Sequence, residues 1–357
     1  MCYKLIQIKK SSKFEIIDNK LLYSYDKLFY EDKVIYEGKV STFDVFKSNV
    51  FIIDNYEKLV MLNLENHNIK EFNYIKGIDF ILNENEIIYG NWNEDYTERF
   101  ITRINLKTES KIWEVESYFG NGKIHNNNLF AVCNGNKICK ISLTNPQTPL
   151  WQFDLSQLGT FYSEQSQQQE TYKVKKFIGI HQDRLYVALN GGMLLEIDIA
   201  TGAVTYQWQN IMTTDRGFSY PVETNTFTLD KQLGKLLSFY TADFITIDLA
   251  SKKVNITPMD EELKKFDGRT FKPTSINYAI DETHIYTLVT LYAPEADFIK
   301  ESIVAFNIQT KKIDWNFTDY QFGMAGGDTP KLAGNKLYLK VNITNLYIFE
   351  KTSNESI

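Results

Sequence analysis

Chemistry in a protein usually rests on histidine, cysteine or paired carboxylates, and the 357-residue chain has few of the first two. Its four histidines are His67, His125, His181 and His284. His125 and His181 each stand four residues ahead of an aliphatic–aromatic pair, and His284 stands directly before one. Recurrence at one place in a repeating pattern suits scaffold hydrogen bonding better than metal ligation. The three cysteines, Cys2, Cys133 and Cys139, are too few for a disulfide framework. Cys133 and Cys139 flank the turn "NGNKI" and could meet in a hairpin, but free thiols in a reducing cytosol are the expectation. Asp and Glu are plentiful, yet no pair has a spacing that marks acid–base work. The run "GMAGGD" (323–328) could cradle an anion with its backbone N–H groups. It follows no strand–helix pattern of a phosphate loop, so it is read as a plain loop. No catalytic residue, metal or cofactor is assigned.

Composition narrows the partner classes. A formal charge of −6 argues against a nucleic-acid binder, whose affinity comes from clustered Lys and Arg, and is compatible with a cationic protein partner. No apolar run approaches the length of a membrane span, and the opening "MCYKLIQIKKSSKFEI" lacks the apolar stretch of a secretory signal. A cytoplasmic protein without membrane contact is expected. With 22 Tyr, 24 Phe and only 7 Pro, the chain leans towards β-structure.

The elements that would position any site form a repeat. An aliphatic–aromatic pair recurs at Leu22-Tyr23, Val50-Phe51, Ile88-Tyr89, Leu129-Phe130, Leu185-Tyr186, Ile285-Tyr286 and Leu337-Tyr338, with Leu236-Leu237 as a variant. A strand alternating apolar and polar residues follows at 59–64, 100–106, 137–143, 194–199, 244–249, 302–308 and 345–350. Period two marks strands with a buried face. A short turn then leads to a third run, ending at Trp113, Trp208 or Trp315, with Trp151 in the same place after a longer turn. Seven copies give roughly 51 residues per unit, the size of a propeller blade. Such units cannot bury both faces alone and must stack radially. The expectation is a single all-β domain over 1–357: a β-propeller of seven four-stranded blades. The runs 3–8 and 13–18 would join the C-terminal strands to close one blade, with six or eight blades as alternatives.

The best copy, "LYVALNGGMLLEIDIATGAVTYQW" (185–208), resembles the quinoprotein-type repeat (similar to pyrroloquinoline-quinone and WD-repeat propellers). The copies at 100–113 and 302–315 keep the strand and Trp but replace the Thr-Gly turn. The resemblance implies that Trp113, Trp151, Trp208 and Trp315 dock each blade on the next. Quinone-dependent members carry adjacent cysteines and a calcium or lanthanide site; this chain has no adjacent cysteines.

Chain direction reverses at every turn, so the turns between third and fourth strands share one face. Second-to-third and blade-to-blade connections share the other. The long segments, 90–98, 152–176, 209–221, 256–273, 291–301 and 317–330, all fall on that second face, where binding loops are expected. They offer Trp92, Glu94, Asp95 and Tyr96, then Arg216, Phe218 and Tyr220, then Tyr292, Glu295 and Asp297. Aromatic anchors ringed by charge are the composition of a protein interface. "FYSEQSQQQETY" (161–172) is read as a mobile insertion with filler glutamines. The expected function is non-catalytic protein binding. Small propellers resembling this one include bacterial immunity proteins, which implies a toxin domain as partner. The rival is an enzyme or small-ligand binder at the central channel: a lyase, glycosidase or degenerate quinoprotein.

Overall fold

Both residues of each aliphatic–aromatic pair are buried, because the strand that carries them has packed neighbours on both faces. In every case it is the second strand of an antiparallel sheet of blade topology. The computed structural model describes the chain except at residues 1, 93–98, 117–121, 134–135, 164–165, 216–217, 272–277, 293–299, 324–328, 342–343 and 353–357.

The described residues form eight blades rather than the expected seven. The first four are Lys13–Ile17, Lys20–Tyr25, Lys27–Tyr30 and Lys33–Tyr36; Val40–Phe46, Asn49–Asp54, Lys58–Asn63 and Ile69–Phe72; Phe80–Asn83, Glu86–Trp92, Arg99–Asn105 and Ser110–Glu116; and Gly122–His125, Asn128–Cys133, Lys137–Ser142 and Trp151–Asp154. The fifth and sixth are Val174–His181, Arg184–Leu189, Leu194–Asp198 and Val204–Trp208; and Thr228–Asp230, Lys235–Tyr240, Asp243–Asp248 and Val254–Pro258. The seventh is Gly268–Phe271, His284–Leu291, Lys300–Asn307 and Ile313–Gly323, with Ala279–Ile280 as an extra short strand. The eighth is Lys331–Ala333, Lys336–Val341, Asn345–Thr352 and, from the other end of the chain, Cys2–Lys10.

One N-terminal strand therefore completes the last blade, as expected, but 13–17 does not join it. That segment opens the additional blade, whose third strand is only four residues long and cannot display the alternation used for counting. Tight turns make so small a blade possible: Asp18–Asn19 and Glu31–Asp32 are consecutive left-handed pairs, the geometry of two-residue hairpins.

The chain divides into two compact units. The larger comprises Met1–Tyr3, Phe119–Pro330 and Lys351–Ile357 and holds the fourth to seventh blades; the smaller comprises Lys4–Tyr118 and Lys331–Glu350.

Third strands end on a side chain that caps the following turn. Asn63, Asn105, Ser142, Asp198, Asp248 and Asn307 each accept backbone N–H bonds from residues two or three positions on. The Thr201 backbone N–H, with further bonds from the Thr201 hydroxyl and Ala200, holds the Asp198 carboxyl below its usual range against the opposing effect of burial.

Within the larger unit the tryptophans do dock blades. Trp151 Nε1 donates to Ile199 O at 3.0 Å, Trp208 Nε1 to Lys252 O at 3.0 Å, and Trp315 Nε1 to Tyr3 O at 3.1 Å. In the smaller unit Trp113 lies opposite Arg103 in its own blade. The Thr-Gly turn has a matching requirement. Gly202 sits at φ 78°, and a Cβ there would come 2.6 Å from the Trp151 ring. Gly202→Ala is expected to cost about 2–3 kcal/mol, summing left-handed strain and the displaced ring. Urea denaturation measures it, and a change under about 0.5 kcal/mol would show that the Trp151 ring has room.

Cys133 and Cys139 occupy adjacent strands with Cα atoms 6.1 Å apart and are joined as a disulfide. The expectation of free thiols is corrected here: the hairpin brings the pair into bridging range.

Candidate functional site

Among the described residues of the larger unit, three blade-to-blade connections carry more than a turn. Residues 155–173 hold a hairpin, Thr160–Ser163 with Gln168–Thr171. Residues 209–227 hold a second, Met212–Asp215 with Phe218–Pro221. Residues 259–267 hold a one-turn helix, Asp260–Lys264. The antiparallel order places all three on the same edge of their blades, as the strand-reversal reasoning requires.

Each insertion is tied to the blades beneath it. In the first hairpin, Phe161 packs beside Tyr172 (ring centroids 5.1 Å apart) and on the fifth-blade core. A Cβ on Gly191, at φ 67°, would strike the Phe161 ring. The segment read as mobile filler is thus a docked hairpin: Gln168 and Gln169 are strand residues, and Thr160 Oγ1 bonds Gln169 Oε1 at 3.0 Å. In the second hairpin, buried Thr213 bonds the Thr241 hydroxyl at 2.7 Å and the Asp243 carboxylate. In the third, Met259 and Leu263 are buried.

Docking the inward faces leaves outward side chains in water. Tyr162 is 59% exposed, Met212 37% and Tyr292, at the start of the second-to-third connection of the seventh blade, 61%. All three belong to the larger unit and its insertion-bearing edge. Tyr292 was expected there. Phe218 and Tyr220 are strand residues opposite Asp215 and Thr213. Trp92 ends the strand Glu86–Trp92 in the smaller unit. Glu94, Asp95, Tyr96, Arg216, Glu295 and Asp297 lie outside the described residues, as does most of "GMAGGD". Tyr162 and Met212 were missed. The signal for Tyr162 was the pair Phe161-Tyr162, one aromatic to dock and the next, on the opposite face, to show.

His284 is scaffold. It is buried, with Nδ1 2.7 Å from Thr283 Oγ1 and Nε2 2.9 Å from Asp314 Oδ2. Burial opposes ionisation of neighbouring Asp281, but the Thr283 and His284 backbone N–H groups and the Tyr286 hydroxyl outweigh it and hold the carboxyl low.

The smaller unit contains a cavity of about 410 Å³ lined by Glu15, Asp44, Asp79, Val45, Ile78, Phe80 and Ile81. Its carboxylates are paired: Glu15 with Lys331 at 2.5 Å, Asp44 with Lys13 at 2.7 Å and Asp79 with Arg99 at 3.0 Å. Burial raises the Asp79 carboxyl despite the opposing guanidinium. An enzyme of the rival class would need an acid-lined site, and this cavity offers three acidic side chains, each already paired.

No protein-family model matches the sequence, and no curated protein does. Solved structures do. Sqt1 of Saccharomyces cerevisiae is similar with a TM-score of 0.59 and 9% identity, over 98% of each chain. A europium-containing methanol dehydrogenase gives a TM-score of 0.58 and 7% identity over 98% of this chain and 93% of that one. BamB from Moraxella catarrhalis gives 0.45 and 8% over 98% and 100%. At these identities the likeness concerns the fold alone, an all-β β-propeller, here with eight blades.

Proposed function

We propose that this chain is a non-catalytic binding module that holds a protein partner on the insertion-bearing edge of its larger unit. One observation carries the reading. Two of the anchored insertions each present an exposed apolar side chain, Tyr162 and Met212, and a third, Tyr292, is exposed at the start of a second-to-third connection on the same edge. Exposed aromatic and Met side chains on a rigid frame are what interfaces use as anchors, the Tyr rings because two χ angles cost little entropy to fix and Met because it adapts to an irregular partner surface. The remaining predicted residues, Trp92, Glu94, Asp95, Tyr96, Arg216, Phe218, Tyr220, Glu295 and Asp297, are kept as rim candidates.

The triple change Tyr162→Ala, Met212→Ala and Tyr292→Ala should weaken partner capture at least tenfold, roughly 1.4 kcal/mol or more. It should leave the circular dichroism spectrum and unfolding midpoint unchanged, because none of the three side chains is buried. Undiminished capture by a folded triple variant refutes the surface. The narrower form of the reading takes the partner to be a bacterial toxin domain met in the cytoplasm, and rests on the analogy with immunity proteins. Co-expression with the product of the adjacent gene tests it: wild-type chain should rescue growth and the triple variant should not.

The rival reading is served by the smaller unit's cavity. Glu15 and Asp44 each face a lysine there, so neither carboxylate is left without a partner for a substrate to meet.

A further inference from the structure

Four lysines gather where the first strands of the fourth and fifth blades begin, on the insertion-bearing edge of the larger unit. Lys123 is the second residue of Gly122–His125. Lys173, Lys175 and Lys176 lie at or just before the start of Val174–His181, at a register shift between Val174 and Lys176. Bulges of this kind re-aim side chains next to functional sites. Among the described residues none of the four makes an ion pair within 4 Å, but Lys173 and Lys175 act on the Glu170 carboxylate and help hold it low, so the uncompensated cations are Lys123 and Lys176.

Lys176 is the centre of the group. Its ammonium donates to Asn225 O at 3.2 Å and Phe227 O at 3.0 Å, which leaves one N–H unassigned. Those carbonyls belong to the segment that returns from the second hairpin. Beside them the buried Asn225 Oδ1 accepts no hydrogen bond. A partly buried cation without a counter-charge is costly to maintain and calls for an anionic ligand.

We propose that this lysine group is an oxyanion site that takes the carboxylates of an acidic, extended segment of the partner protein. The inference rests on the partner-binding reading and deepens it, because the connection that carries the exposed Tyr162, 155–173, ends at Lys173 and leads directly into the strand that bears Lys175 and Lys176. An extended segment brings carboxylates for the lysines. Its apolar side chains would meet Tyr162. A free phosphate would supply the anion but no apolar side chain for Tyr162.

Titration gives the site a signature. Burial, aided by the field of Lys123, lowers the Lys176 ammonium to about 8. The charged and polar groups facing it are Lys123, on the first strand of the preceding blade, and the two carbonyls. Carboxylate binding requires the protonated form, so affinity should be flat below pH 8 and fall about tenfold per pH unit above it.

The test uses the full chain and fluorescence anisotropy with three probes. These are a labelled peptide alternating Asp or Glu with Leu and Tyr, its Asn/Gln counterpart, and a single-stranded oligonucleotide, each with and without inorganic phosphate. The acidic peptide should bind, the amide peptide should not, and Lys176→Met should weaken the acidic peptide at least tenfold and abolish the pH step. Lys4→Met, on the far end of the chain, should change nothing. Equal binding by wild type and the Lys176→Met chain, preference for the oligonucleotide, or complete displacement by phosphate at parity with the peptide overturns the proposal. Failure here is separable from failure of the broader reading. If the triple surface variant loses the partner while Lys176→Met keeps it, the surface stands and the oxyanion site falls.

Discussion

Trp208→Ala should cost the larger unit about 3–5 kcal/mol, the range for truncating a buried tryptophan. The side chain is only 4% exposed and lies between the rings of Tyr186 and Tyr206, at 6.4 and 4.8 Å between centroids. Its indole N–H is committed to Lys252 O in the next blade. Alanine removes the ring, opens a cavity between two blades and leaves that carbonyl without its donor. Equilibrium urea unfolding followed by circular dichroism measures the loss. A cost below about 1 kcal/mol would mean that the fifth and sixth blades do not depend on this contact.

Lys252→Met should be nearly as damaging, by about 3 kcal/mol, for an electrostatic reason. Glu196 is 3% exposed, with its carboxylate held by the Lys252 ammonium, by Thr205 Oγ1 at 2.8 Å and by the Tyr186 hydroxyl at 3.2 Å. Without Lys252 the remaining cation is Arg184, whose Nε is 3.9 Å away and which is itself engaged with Asp198. A buried carboxylate that has lost its main partner costs more than a pair removed together. The double variant Glu196→Gln, Lys252→Met should therefore recover part of the loss, and a double-mutant cycle gives the coupling. Strict additivity would contradict the claim that the two side chains act as a pair.

The first prediction concerns a residue that the sequence places well; the Glu196–Lys252 pair is seen only in the structure. The aliphatic–aromatic pairs, the alternating strands and the tryptophans report burial period and blade docking directly, so seven blades were countable from one chain. The eighth was not. Lys27–Tyr30 is too short to alternate, and its hairpins rely on left-handed Asp, Asn and Glu residues that look like ordinary polar loop. The Gln-rich hairpin was misjudged for a related reason. Its strands are held by Phe161 docking on Tyr172 and against Gly191, a contact between distant segments that local composition does not reveal.

The site was legible as an edge rather than as residues. Strand reversal alone put the long connections on one side, and Tyr292 was found because an aromatic in a long loop is conspicuous. Lys176 was invisible: "YKVKKF" reads as a solvated charge run, and a net charge of −6 hides a local cationic group. Only the approach of the Asn225 and Phe227 carbonyls distinguishes this lysine from its neighbours.

Site-specific photo-crosslinking tests the binding surface most directly. A photoreactive phenylalanine analogue would be placed at 162, 212 and 292, and for comparison at 206 and 256, which are also exposed but lie on the last strands of the fifth and sixth blades. In the native host, one protein should be trapped from all three insertion positions and from neither comparison position. Trapping at 206 or 256 instead, or a small molecule as the only adduct, would contradict partner binding on this edge.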